Sequence, residues 1–137
     1  MNINLILSLT LLFLPYELKR GKLEVLEQIK VIKPVVVTVT TYKANSDETD
    51  EDPHITASGF VIDMDNPHKH RLIAISRDLK RKWKFGTKVL IEGTGVHDGV
   101  YYVRDLMNKR YKKRVDILIG HEDKQQTFKK VKIYKLP

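Results

Sequence analysis

Residues 99–119, GVYYVRDLMNKRYKKRVDILI, hold two short runs dense in β-branched and aromatic side chains, parted by a basic, polar segment. That composition suits a pleated, half-buried surface, so the stretch reads as strand, basic turn, strand in hairpin-like order. Each run carries one carboxylate, Asp105 where the first run ends and Asp116 within the second. Strand side chains alternate between faces. If Val115 and Ile117 point into a core, Asp116 points out into a groove. Asp is depleted in strands, so its presence there asks for a reason, either chemical or an ion pair with Arg104, Arg114 or a nearby Lys.

The same kind of signal recurs along the chain. Residues 31–42, VIKPVVVTVTTY, are the strongest strand signal, with Pro34 marking its start or an edge position. Residues 60–62, 71–76, 88–92 and 129–135 read as further short strands. Ser76 is placed to cap a short helix reaching Trp83, and residues 120–127 are expected to make one helical stretch. Gly93, Gly95 and Gly99 punctuate a turn-rich connection; no helix-forming segment follows, so they are not a dinucleotide fingerprint. Six or seven short strands with one or two short helices make a mainly β protein, a small barrel or sandwich.

The amino-terminal region has a different character. Residues 3–14 are apolar except for Asn4, Ser8 and Thr10, and the run stops at Pro15. It is short for a bilayer span and matches the hydrophobic region of a signal peptide, although no Lys or Arg precedes it and no A-x-A-like site follows. The alternative is a buried terminal helix or strand. Leu18, Val25, Leu26 and Ile29 then recur at helical spacing among charges. The expected organisation is a signal-like or membrane-tethering segment at 1–15, a helical linker at 16–33 and a barrel domain at 34–137.

Charge is unevenly placed within the formal net of +8: residues 77–137 hold 17 Lys/Arg against 7 Asp/Glu, and residues 1–76 hold 8 against 10. A basic half suits an anionic partner such as nucleic acid, anionic lipid or an acidic cell-wall polymer; the plain alternative is a solvated basic surface. With no cysteine there is no disulfide, thiolate metal site or Cys nucleophile. The acidic run at 47–52 lacks the ligand spacing of a calcium loop. His68 and His70 sit beside Pro67 in a polar turn with no third ligand suitably spaced. Neither a metal nor a cofactor is expected.

Several segments, taken in order, carry more than composition. Thr40-Thr41-Tyr42 ends the first strand, and Thr56-Ala57-Ser58-Gly59 follows. Ile73-Ala74-Ile75-Ser76 precedes Phe85-Gly86-Thr87-Lys88-Val89, then come Gly93-Thr94-Gly95, Asp105-Leu106-Met107-Asn108 and Arg114-Val115-Asp116. Across about residues 37–134 this series resembles the three-aspartate (3D) domain. That domain is the double-psi β-barrel of the membrane-bound lytic transglycosylase A family, similar more distantly to rare-lipoprotein-A and expansin barrels. The resemblance implies a six-stranded double-psi barrel. The chain departs from the family pattern in two places: Ser76 stands where the first aspartate belongs, unless Asp78 serves, and the D-T-G-G turn has become Asp105-Leu106-Met107-Asn108.

The resemblance implies an exported or envelope-associated protein, bacterial or phage-encoded, that cleaves the β-1,4 bond after N-acetylmuramic acid. The sugar's own 6-hydroxyl captures the anomeric carbon. One acid/base suffices for that reaction, and Asp116 is the residue expected to serve. Its pKa would be raised by half-burial and by the charge of Asp105. Asp105 would tune Asp116 and orient the sugar, and Tyr42, Thr56, Ser58, Gly59, Ser76 and Asn108 would line the substrate groove. The alternative is a non-catalytic module that binds cell-wall glycan in the same groove. The expected partners are peptidoglycan strands, an anionic cell-wall polymer at the basic segment 109–114, and a membrane only through the amino-terminal segment, with the protein a monomer. Nucleic acid is disfavoured, because the basic residues come without a recognisable stacking motif.

Overall fold

The structure, a computed structural model, describes residues 15–45 and 52–137. The apolar run at 3–14 and the acidic residues 47–51 lie outside the described residues. The chain divides into two units, Met1–Lys33 and Pro34–Pro137.

Helix α1 in the first unit, Tyr16–Val31, fulfils the helical spacing read from the sequence. Glu17 in its first turn complements the helix dipole, and Arg20 pairs with Glu24 one turn on at 3.5 Å. Pro34 follows shortly after and cannot continue a helix. Among the described residues no helix is long and apolar enough to cross a membrane.

The second unit is a closed barrel of six strands. These are β1 (Val35–Tyr42), β2 (Leu72–Ile75), β3 (Lys88–Glu92), β4 (Gly99–Leu106), β5 (Arg114–Leu118) and β6 (Thr127–Lys135). Round the barrel they run β1-β5-β2-β4-β3-β6, and β6 returns to pair with β1. The pairs β1/β5 and β2/β4 are parallel and the other four antiparallel. A closed mixed barrel of this kind is compatible with a double-psi barrel. Closure leaves no open sheet edge, which suits strands as short as the four residues of β2, buried along its whole length.

Alternation fills the barrel. Val37 and Val39 of β1, Ile73 and Ile75 of β2, Val89 and Ile91 of β3, Tyr101 and Val103 of β4, Val115 and Ile117 of β5, and Val131 and Ile133 of β6 form one cluster. Leu79, Trp83 and Ile119 belong to the same cluster. A second cluster lies on the opposite side chains of the same strands: Tyr42, Leu72, Ala74 and Leu118 pack with Ala44, Ile62 and Met107, and Tyr111 leans against them. The two clusters explain why β2 is apolar at every position: each of its faces meets a different layer.

Several local expectations are corrected. β4 and β5 are not a hairpin; β2 lies between them, parallel to β4 and antiparallel to β5. Ser76 does not cap a regular helix. Its hydroxyl instead accepts the Arg114 N–H at 3.0 Å, and only a 3-10 turn, Arg77–Leu79, forms, continued by single turns to Trp83. Residues 60–62 contribute one isolated bridge, Ile55 to Val61, rather than a strand. Residues 120–126 are turn and irregular backbone, not helix, because Asp123 folds back to accept the Gly120 N–H at 2.8 Å.

Candidate functional site

β5 places Asp116 between two strands. It is level with Thr40 of β1, and the Thr40 hydroxyl donates to Asp116 Oδ1 at 2.9 Å. On its other side it is level with Ala74 of β2. Val115 and Ile117 are fully buried and Asp116 half-buried, so the alternation read from the sequence is obeyed.

β4 would send Asp105 the wrong way. Tyr101 and Val103 point into the core, and simple alternation would turn Asp105 inward after them. The ladder with β2 slips at that point: Ile73 pairs with Val103, but Ala74 pairs with Asp105, so Arg104 has no partner across the ladder. One extra residue reverses the facing of the residues after it. Arg104 is thus the bulge, its guanidinium 5.4 Å from the Phe60 ring centre, and Asp105 emerges on the same outer face as Asp116. Ala74 is the shared neighbour of both carboxylates.

Backbone and side-chain donors hold Asp105. The Ala57 N–H reaches Oδ1 at 2.8 Å, the Leu106 N–H reaches the same oxygen at 2.9 Å, and the Tyr42 hydroxyl donates to Oδ2 at 3.2 Å. An ionised carboxylate only accepts hydrogen bonds, so this cradle suits an anion. Tyr42 is buried, and its phenol is pushed well above its ordinary value, by burial first and then by the charges of Asp105 and Asp116. It therefore remains a donor.

The Thr56–Gly59 loop has a structural role here. Thr56 Oγ1 accepts the Phe60 N–H and lies 3.0 Å from Ser58 Oγ, Gly59 takes a left-handed φ of +82°, and the Ser58 N–H donates to the Arg104 carbonyl. The loop is pinned beside the bulge, which aims the Ala57 N–H at Asp105. Thr56 is buried, whereas Ser58 is half-buried and Gly59 exposed. Ser76 is fully buried beneath the surface. Asp78, the other candidate for the family's first aspartate, accepts the Lys113 N–H at 3.0 Å. Asn108 is exposed and closes a turn by accepting the Arg110 N–H at 3.1 Å.

An open cleft of about 890 Å³ lies over this surface. Asp105, Asp116, Tyr42 and Asn108 line it, together with Thr40 and Ala74, and so do Arg77, Lys109, Arg110, Tyr111 and Arg114. Sequence reasoning brought the first four together. It missed Thr40 and Ala74, whose relation to the carboxylates exists only through the β1-β5-β2-β4 neighbourhood, and the Ala57 amide, which has no side-chain signal at all. His68 and His70 belong to a 3-10 turn, Pro67–His70, where His70 Nε2 accepts the Asp63 N–H. Among the described residues no group of three or more His, Cys, Asp or Glu could hold a metal.

Two carboxylates on one floor, one accepting from the Ala57 and Leu106 amides and the Tyr42 hydroxyl and the other from the Thr40 hydroxyl, can divide the work of positioning and proton transfer. A scan against protein-family models finds no match to this chain, and a search of curated proteins finds no relative.

Proposed function

We propose that the barrel is a peptidoglycan-acting enzyme of the lytic transglycosylase kind, built on a 3D-type double-psi barrel and working at the cell envelope. The observation that carries this reading is the placement of Asp105 and Asp116 on either side of Ala74, on the floor of a cleft open enough to take sugar rings. The ordered series of segments that resembles the 3D domain supports it.

In this reading Asp116 delivers its proton to the glycosidic oxygen as the bond from the anomeric carbon of N-acetylmuramic acid breaks. The 6-hydroxyl oxygen of the same sugar then bonds to that carbon, and its proton returns to Asp116. The acid is regenerated and the product carries a 1,6-anhydro ring. No water is consumed and no second carboxylate is needed as nucleophile or base, in contrast to the paired-carboxylate hydrolases. Asp105, fixed by Tyr42 and Ala57, holds charge and hydroxyls in place beside Asp116.

The test is digestion of purified peptidoglycan followed by mass spectrometry. Release of anhydromuropeptides by the wild type, and none by Asp116→Asn, is the expected result. A second reading, a barrel that binds glycan without cutting it, is favoured by Ser76, whose hydroxyl serves the Arg114 amide where the family carries an aspartate. Retention on peptidoglycan with no anhydro product would establish that second reading instead.

A further inference from the structure

The cleft that holds Asp116 is also lined by cations, Arg77, Lys109, Arg110 and Arg114, and two of them are organised. Tyr111 leans on the second apolar cluster, the one that also holds Tyr42 and Ala74, and its N–H donates to the Asn108 carbonyl at 3.0 Å. Two guanidinium groups gather on its ring: Arg110 at 4.8 Å and Arg114 at 4.7 Å from the ring centre, with Arg110 also donating to the Tyr111 hydroxyl at 2.7 Å. Arg114 and Asp116 are two residues apart on β5, so they share its outer face about 6.6 Å apart along the strand. Arg77 lines the same cleft, next in sequence to Ser76, whose N–H donates to the Arg114 carbonyl at 2.9 Å.

We propose that Arg110 and Arg114, arrayed on Tyr111, form an anion subsite of the cleft, which takes a carboxylate or phosphate group carried by the substrate next to the sugar held at Asp116. This rests on the glycan reading above and names the chemistry that the reading leaves open. A guanidinium is a flat fork of donors matched to two oxygens of a carboxylate or phosphate. Stacking on a ring that is itself packed restricts each arginine before the ligand arrives, which reduces the entropy lost on binding. In a lysine-rich loop with no such ring the charge would be diffuse. Here it has a direction.

The test uses the full chain and a disaccharide of N-acetylglucosamine and N-acetylmuramic acid with the muramic sugar at the reducing end, so that no bond after it can be cut. Calorimetry compares its free lactyl carboxylate form with its methylamide, and both with an oligomer of glycerol phosphate. The acid is expected to bind about tenfold more tightly than the amide, the scale of one charge-assisted contact at a half-exposed site. In the Arg110→Gln/Arg114→Gln double variant the ratio is expected to fall to about one, while the circular dichroism spectrum and urea midpoint stay those of the wild type, which shows that the variant is folded. Stronger binding of the phosphate oligomer through the same two arginines assigns the subsite to a phosphate polymer; stronger binding of the acid sugar assigns it to the sugar's own carboxylate. A ratio near one in the wild type together with no arginine-dependent binding of the oligomer, or a ratio that survives the double variant, overturns the subsite. Arginine-dependent binding of the oligomer with neither sugar bound would overturn the glycan reading and leave the subsite standing, and binding of none of the three overturns both.

Discussion

Asp105 and Asp116 are in register with one and the same residue, Ala74 of the strand between them. A small side chain at that point leaves the space over the sheet open, and each carboxylate then has a different outer neighbour, Tyr42 for Asp105 and Thr40 for Asp116.

Filling that space should crowd the floor between the two acids. Ala74→Leu is expected to abolish glycan retention and product release. The added atoms enter the second cluster, of which Ala74 is a member, so a destabilisation of about 1–3 kcal/mol is also expected, read as a shift in the urea midpoint. Undiminished binding by a folded Ala74→Leu protein would argue against the cleft as the binding surface.

Asp116→Asn tests the chemistry alone, since the amide is nearly the same size and can still accept from Thr40. Turnover is expected to fall at least roughly 100-fold, the lower end of what a general acid/base contributes, while the circular dichroism spectrum and glycan retention persist. Rates within a few-fold of wild type would remove Asp116 from the mechanism.

Tyr42→Phe removes the hydroxyl that steadies Asp105. A stability loss of about 1–3 kcal/mol is expected at neutral pH, because a charge-assisted hydrogen bond goes and Asp105 loses one of its donors. An alkaline effect is expected as well. The Tyr42 phenol titrates well above the ordinary 10.0 in the folded protein. The unfolded chain therefore loses this proton first, and stability, undiminished below that value, falls as pH rises beyond it. Equilibrium unfolding at a series of alkaline pH values should show a smaller decline in Tyr42→Phe than in the wild type.

Asp78 gives the acid counterpart. Burial pushes its carboxyl up, but hydrogen bonds from Ser76 and the Lys113 N–H outweigh that and hold it below the ordinary 3.8. Its contribution is therefore present above that value and is lost as pH falls through the folded-state value. Asp78→Ala is expected to cost up to about 1 kcal/mol at neutral pH, a modest figure because the side chain is exposed. That deficit should fade in the most acidic part of the pH–stability curve, and a constant deficit at all pH values would contradict the hydrogen-bonding account.

The strands were legible because their cause is local. Alternating Val, Ile and Tyr in 35–42, 99–103 and 114–118 bury one face whatever lies beside them, and Asp116 between Val115 and Ile117 had to point the other way. The neighbours of each strand are not local. Two similar runs joined by a basic turn suggest a hairpin, yet β2 comes between them, because a closed barrel satisfies the backbone of every strand through neighbours chosen far away in sequence. The hydroxyl of Ser76 was legible as a polar group but not as the acceptor for Arg114, thirty-eight residues on.

Asp105 marks the boundary between the two kinds of information. The sequence by itself determined a mainly β chain with one carboxylate where a strand ends and another inside a strand, because side-chain alternation and turn chemistry act within a few residues. Only the tertiary structure decided that the carboxylates flank one residue on the same face. That outcome depends on a one-residue slip at Arg104 that turns Asp105 outward, and on β2 lying between β4 and β5 with Ala74 at the shared level. Both are properties of pairing between distant segments, which no short window of residues encodes.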